Sequence, residues 1–338
     1  MSQSPIFITG ATGFIGSHVV SQALEAGYSV RLSVRKESQI SSLKTLFSQH
    51  TAKLDFAVIP DLAKPGAFNQ ALQGVEFVLH LASPMPGKGS DFKTDYLVPA
   101  EQGTIALLDA AKGVSTIKRV VITSSLLSLI PLDALASLKF TAKEGLNPTI
   151  PVDADMEFPS DPMANAGLKY HASKILAHRA VLEWVPKNEP KFDVVTLHPS
   201  FVIGRNLTQT TADGIDGSNG MFWGSLFSEK AFIPMAAVDV RDVALAHIRA
   251  LDVSTKEHSA VLEVLLSAPE AVGWKWERVV EFVNKKYPAL GIQLKGPFDE
   301  PPKVEVQRAS ELLGIQWRDM EDTVSNFLDQ QVELRSQL

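Results

Sequence analysis

Residues Ile6-Phe7-Ile8-Thr9-Gly10-Ala11-Thr12-Gly13-Phe14-Ile15-Gly16 constrain the fold more than any other stretch of this chain. A short apolar run leads into glycines at 10, 13 and 16, and an amphipathic run over about residues 14–26 follows. The order reads as a buried strand, a tight turn and a helix start. Glycine in the turn admits dihedrals closed to other residues and lets the backbone approach a ligand closely. The helix start points its free N–H groups and the positive end of its dipole at whatever occupies the turn, and a pyrophosphate suits that position. A glycine pattern alone is weak. The apolar run before it and the helical run after it supply the context that a nucleotide-binding turn needs.

The rest of the chain alternates in the same way. Strands are expected at 29–34, 54–59, 75–82, 119–123, 192–197 and 261–266, the fourth continuing into Ser83-Pro84-Met85-Pro86-Gly87. Helices are expected at 36–49, 67–72, 91–112, 165–185, 243–251 and 274–286, with a short helix ending near 313–314 and a terminal one beyond. Alternating strands and helices predict a parallel sheet covered on both faces. Right-handed crossovers then give an α/β, Rossmann-type doubly wound sheet with ligands at the carboxyl ends of its strands. The segment 126–166 breaks the rhythm with loop residues, and the pattern loosens again over 206–220. We therefore expect a nucleotide-binding domain over about 1–198. A smaller C-terminal lobe over 199–338 would shape the substrate site, with 239–267 returning to the first domain.

The chain has 338 residues, enough for such a core. With 32 basic and 38 acidic residues the net charge is −6, which gives no electrostatic reason to bind nucleic acid or an anionic membrane. The absence of cysteine excludes disulfides, thiolate metal sites and cysteine nucleophiles. The eight histidines show no metal-ligand spacing, so no metal is expected. The first strand begins within a few residues of Met1, leaving no room for a signal peptide, and no apolar run is long enough to span a bilayer. A cytoplasmic protein, monomeric or homodimeric, is expected.

Two clusters carry chemistry. Tyr170 and Lys174 stand four apart on an expected helix, which puts them on one face. A free tyrosine titrates near 10, and a neighbouring ammonium stabilises its phenolate. Such a pair can exchange a proton with a substrate. Ser124 and Ser125 end the expected 119–123 strand, at the same sheet edge as the glycine turn. Either can hydrogen-bond a carbonyl oxygen, although serine after a strand is also ordinary turn chemistry. An aromatic and methionine cluster, Phe201, Met221, Phe222, Trp223 and Phe227, reads equally as a pocket wall or as core. Trp274, Trp276 and His171 read as packing residues.

The Thr9-to-Gly16 turn, Thr123-Ser124-Ser125 and the Tyr170-to-Lys174 pair stand in the order and spacing of the extended short-chain dehydrogenase/reductases, and the chain resembles that family over its whole length. Val34-Arg35-Lys36, His80-Leu81-Ala82-Ser83-Pro84, His198-Pro199-Ser200-Phe201-Val202-Ile203-Gly204 and Ser310-Glu311-Leu312-Leu313-Gly314-Ile315-Gln316-Trp317 resemble its dihydroflavonol reductase, cinnamoyl-CoA reductase and fungal aldehyde/ketone reductase branch. The likeness is strongest over 5–204 and thin over 126–164 and 206–235. It implies that Ser125, rather than Ser124, holds a carbonyl, that Tyr170 donates the proton, and that Lys174 binds the nicotinamide ribose and tunes Tyr170. It implies cofactor contacts at Thr9, Gly10, Gly13, Phe14, Ile15, Gly16, Asp61, Leu62, Ala82, Ser83, Thr123, Pro199 and Val202. Pro84, Leu126, Phe201, Met221, Phe222 and Trp223 are the expected substrate contacts. Two departures stand out. Gln102 sits where relatives often carry asparagine, and Leu126-Leu127 replaces a more polar, aromatic run of sugar-nucleotide relatives.

The cofactor reads as NADPH. NAD-binding folds place an acidic residue about twenty positions past the glycines to hold the ribose 2′-hydroxyl. Here the second strand runs straight into Arg35 and Lys36, which suit a 2′-phosphate. Arg31 on that strand is a possible helper of undetermined facing. The expected activity is NADPH-dependent reduction of an aldehyde or ketone of small molecular size. A sugar-nucleotide epimerase or dehydratase on the same scaffold and a non-catalytic NADP-sensing regulator are the alternatives. The first would need basic residues for a diphosphate in the second lobe, and an intact Ser–Tyr–Lys set speaks against the second.

Overall fold

The computed structural model describes residues 5–84, 89–134, 140–233, 235–255 and 260–336. The expected Met85-Pro86-Gly87 extension of the fourth strand lies outside these residues. Eleven strands are described: β1 (Ile6–Thr9), β2 (Val30–Val34), β3 (Leu54–Val58), β4 (Phe77–His80), β5 (Arg119–Thr123), β6 (Thr141–Ala142), β7 (Asp193–Pro199), β8 (Phe201–Ile203), β9 (Ala237–Asp239), β10 (Val261–Leu266) and β11 (Lys303–Val304). Seven form one sheet in the order β10-β7-β5-β4-β1-β2-β3. All its pairings are parallel. All four residues of β1 are buried, as a strand covered on both faces requires. Order reverses between β1 and β4, so the crevice for a ligand opens at the carboxyl ends of these two strands.

Helices α1 (Phe14–Glu25), α2 (Ser38–Leu46), α3 (Val98–Lys112), α4 (Pro162–Asn188), α5 (Gly217–Leu226), α6 (Val240–Arg249), α7 (Trp276–Lys286), α8 (Gln307–Leu313) and α9 (Met320–Arg335) complete the described elements. α1 packs beside α6 and α3 beside α4. The two aliphatic layers so formed cover the sheet on opposite faces. A third core, built on Phe222, Trp276, Phe327 and their neighbours, lies under α5, α7 and α9.

Three expectations need correction. Residues 67–72 form successive turns, not a helix. They are confined between Gly66 and Gly74, both at positive φ, and six residues are too few to offset helix nucleation. The 91–112 helix is broken at its start by a π-helical turn over Lys93–Leu97 before α3 begins. α4 starts earlier than 165, because Asp161 caps it by accepting from the Ala164 N–H at 2.8 Å, with Pro162 at the first helical position.

Candidate active site

The glycine turn is shaped by close contacts. Gly10 has φ +76°, and a Cβ there would stand 2.9 Å from the Ala82 nitrogen at the end of β4. A Cβ on Gly16 would meet the Gly10 carbonyl oxygen at 2.0 Å, whereas one on Gly13 would lie 3.3 Å from it. Gly10 therefore lets the turn close against β4, and Gly16 lets α1 press on the turn. Gly13 is the N-cap of α1 and brings no capping side chain, so the amides of Phe14, Ile15 and Gly16 begin the helix without a side-chain partner. This cradle fits a pyrophosphate.

Thr9 needs a different role from the one expected. It is fully buried, its hydroxyl sits 2.8 Å from His80 Nδ1, and it accepts from the Leu81 and Ala82 N–H groups. Its side chain clamps the ends of β1 and β4 together and has no reach to a ligand. His80 also meets Thr104 Oγ1, and burial together with the Lys174 charge pushes its pKa down to about 4. Thr123 is likewise turned away, with its hydroxyl 2.6 Å from His247 Nε2 under α6.

Beyond β2, Arg35 and Lys36 are exposed, and both backbone N–H groups donate to Gln39 Oε1. Among the described residues neither side chain has a carboxylate partner. Arg31 is excluded as their helper, because it pairs with Asp55 at 2.6 Å and donates to the Ala71 and Gln73 carbonyls. Asp61 is exposed and accepts from the Ala63 N–H, while Leu62 is half-buried toward Gly103 of α3. Ala82, Ser83 and Pro84 follow β4, half-buried. Pro199 and Val202 are buried behind the carboxyl end of β7.

α4 brings Tyr170 and Lys174 to this edge. Lys174 is 6% exposed, its Nζ donates to Ser83 Oγ at 2.8 Å and lies 5.3 Å from the centre of the Tyr170 ring. Burial lowers its pKa from 10.5 to about 8. Burial pushes Tyr170 up to about 12, and a hydrogen bond with Ser125 pulls in the opposite direction. Ser125 Oγ accepts from the Leu127 N–H at 3.2 Å, so its own proton is free to be donated. Ser124 instead donates to Ser128 Oγ, away from Tyr170. The structure thus brings Ser125, Tyr170 and Lys174 together and separates Ser124 from them. An acid held protonated, a hydroxyl donor and an ammonium at one point can protonate an oxyanion.

The expected substrate wall is only partly assembled. Phe222 is fully buried between Trp276, stacked at 5.5 Å, and Phe327 at 5.6 Å. It belongs to the core. Trp223 lies under the Arg335 guanidinium at 4.1 Å and beside Phe227, turned toward α9. Met221 is exposed, because consecutive helical residues fan apart and cannot share one wall. Phe201 is half-buried against the third core, and Leu126 is buried in a short 3-10 turn, Leu126–Leu129. Tyr170 packs instead against a small apolar cluster of Phe92, Tyr96, Leu97 and Ala172, which Leu132, Val152, Ala154, Met156 and Phe158 also join. Phe92 belongs to the expected 91–112 helical stretch, while Leu132, Val152, Ala154, Met156 and Phe158 come from loops whose pattern carries no period. His171 is buried and meets the Ile130 carbonyl, tying α4 to the segment after Ser125.

A second missed group lies beneath Lys174. His178, one turn further along α4, His198 on β7 and Glu263 on β10 bring potential metal-ligating atoms within 4.8 Å of one another. The only signal in sequence was the i, i+4, i+8 run Tyr170, Lys174, His178. A cleft of about 570 Å³ lined by Tyr28, Glu76, Lys118, Arg119, Asp193 and Asp252 opens at the amino ends of the strands, opposite to this chemistry.

Comparison with known proteins agrees with this fold. The model of the NAD dependent epimerase/dehydratase family matches residues 6–264. Ketoreductase sphI of Aspergillus fumigatus is 37% identical over 340 residues, covering 98% of this chain and 99% of its own. Ketoreductase CTB6 of Cercospora beticola is 30% identical, covering 99% and 96%. Among solved structures, Gre2 of Candida albicans in complex with NADPH is 28% identical with a TM-score of 0.77, covering 98% of this chain and 99% of its own.

Proposed function

The chain belongs to the NAD dependent epimerase/dehydratase family, as an oxidoreductase of the extended short-chain dehydrogenase/reductase type, and on that premise we propose that it reduces an aldehyde or ketone to the alcohol with NADPH. The observation that carries this reading is the convergence of Ser125, Tyr170 and Lys174 beside an uncapped glycine turn at the switch point of the sheet.

The residues present fit the cofactor. The turn from Gly10 to Gly16 receives the pyrophosphate, Arg35 and Lys36 receive the 2′-phosphate, and Lys174 with Ser83 receives the nicotinamide ribose. When bound, the nicotinamide supplies the hydride. Ser125 and Tyr170 hydrogen-bond the carbonyl oxygen and orient its carbon. As negative charge grows on that oxygen, Tyr170 transfers its phenolic proton to it. A pKa of about 12 keeps Tyr170 protonated at neutral pH, so it arrives as an acid. An alkoxide is more basic than a phenolate, which makes the transfer downhill. The Lys174 ammonium then stabilises the phenolate left behind.

The apolar cluster that Tyr170 packs against, which includes Phe92 and is joined by Leu132, Met156 and Phe158, favours a weakly polar carbonyl compound over a sugar nucleotide. Residues 199–338 form the substrate lobe in this reading, with β10 returned to the sheet. No described helix is long and apolar enough to cross a membrane. We assign the protein to the cytoplasm. The test is loss of NADPH absorbance against a panel of ketones and aldehydes. Turnover with apolar members is expected. Silence across the panel with NADPH still bound would favour a sensor.

A further inference from the structure

We propose that His198 is a positioning residue that sets the backbone of Ser125, through the hydroxyl of Ser128 and by a longer contact with the Ser125 carbonyl itself. The inference rests on Ser125 holding the carbonyl, as proposed above.

Hydrogen-bond bookkeeping fixes the imidazole. Ser128 Oγ donates its single proton to the Ser125 carbonyl at 2.7 Å. At its 2.9 Å contact with His198 Nδ1 the same oxygen accepts, and Nδ1 also lies 3.3 Å from the Ser125 carbonyl oxygen, which can only accept, so Nδ1 carries a hydrogen directed at both. His198 Nε2, 2.9 Å from Thr196 Oγ1, then accepts from that hydroxyl. His198, Ser128 and Thr196 are all fully buried, so no solvent competes for these bonds. Burial and the neighbouring His178 and Lys174 hold the His198 pKa well below its ordinary value, which keeps the ring in this one-proton form.

The ring is braced from outside. His178 stands edge-on at 4.6 Å, its Nε2 meets Glu263 Oε1 at 2.6 Å, and Glu263 Oε2 accepts from the Gly145 N–H. Asn147 donates to both the Ser128 and Ile175 carbonyls, tying the turn of Ser128 to the helix of Tyr170. Both nitrogens of His198 and both oxygens of Glu263 have hydrogen-bond partners, while His178 Nδ1 is buried with none among the described residues. The result is a dry chain from β7 to the backbone of Ser125. It leaves the Ser125 hydroxyl, held by Leu127, free to face Tyr170.

The test compares His198→Leu, His198→Asn and Ser128→Ala with the parent and with Tyr170→Phe. The amide nitrogen of asparagine falls where Nδ1 stands and can donate to Ser128, whereas leucine cannot. His198→Leu should lose roughly tenfold to a hundredfold in kcat, the effect of a slightly misplaced reacting group. His198→Asn should stay within about threefold of the parent, the worth of a weak net hydrogen bond. NADPH Kd should be unchanged in both. Ser128→Ala should lose kcat in the same direction but no more than His198→Leu, since the direct contact of His198 with the Ser125 carbonyl remains, and the double variant should lose no more than His198→Leu. If His198→Leu does not fold, Ser128→Ala against His198→Asn carries the comparison. Equal losses in the two His198 variants, or parent kcat in Ser128→Ala, would overturn the proposal. Parent turnover in Tyr170→Phe would instead sink the reading of the site on which it rests.

Discussion

Gly16→Ala and Gly13→Val should separate folding from cofactor binding within one turn. A Cβ on Gly16 would stand 2.0 Å from the Gly10 oxygen, 2.7 Å from its carbonyl carbon and 3.2 Å from Ala11 Cα. All three are backbone atoms, so no side chain can rotate away. To restore ordinary contact, α1 must withdraw from the turn by about an ångström, since overpacking of this kind forces backbone shifts costing on the order of 3 kcal/mol. For a chain of 338 residues, about 2.1 cal/mol/K per residue gives an unfolding entropy of roughly 0.7 kcal/mol/K, so each kcal/mol moves Tm by about 1.4 °C and a fall of about 4 °C follows for Gly16→Ala. Gly13 has φ −90°, open to any residue, and its Cβ would lie 3.3 Å from one oxygen. Gly13→Val should therefore hold Tm within about 1 °C of the parent. Its isopropyl group would occupy the space in front of the first-turn amides and weaken NADPH by more than roughly tenfold, the loss of about one charge-assisted bond. Calorimetric melting and NADPH titration of both variants make the comparison. Parent-like Tm in Gly16→Ala, or parent-like affinity in Gly13→Val, would refute this account of the turn.

Two further outcomes are expected. Arg35→Asp should weaken NADPH by about ten- to a hundredfold and leave NADH nearly untouched, since bonds to a charged group are worth roughly 1.5–3 kcal/mol; an unchanged ratio of Michaelis constants would remove Arg35 from the 2′-phosphate site. Lys174 is charged below its lowered pKa of about 8 and neutral above it, so affinity for the anionic cofactor should be full near neutrality and fall as pH rises through that value; Kd measured across this range should flatten in Lys174→Met, and the same slope in the variant would assign it elsewhere.

The parts of the fold with a strong local period were legible. β5 over Arg119–Thr123 and β10 over Val261–Leu266 stand where the apolar runs placed them. The 67–72 helix failed because four apolar residues in a six-residue window do not outweigh helix nucleation and flanking glycines at positive φ. Asp161-Pro162 was a start signal for α4 that the apolar period, beginning later, concealed. At the site, spacing along one helix exposed Tyr170 and Lys174, but residues joined only by topology stayed hidden. His198 and Glu263 lie on neighbouring strands 65 positions apart (263 − 198), brought close by the pairing of β10 with β7. The aromatic run Met221-Phe222-Trp223 misled for a geometric reason, since composition does not say which way each ring turns on its helix.

In the proposed reaction Tyr170 delivers the proton to a carbonyl oxygen. Its most direct test is steady-state turnover of Tyr170→Phe beside its NADPH Kd, using a ketone the parent reduces. The phenyl ring keeps the packing around Phe92 and Lys174 and removes only the hydroxyl. The account predicts an unchanged Kd and a fall in kcat of about a hundred- to ten-thousandfold, the range of general acid catalysis. Turnover near that of the parent would contradict it.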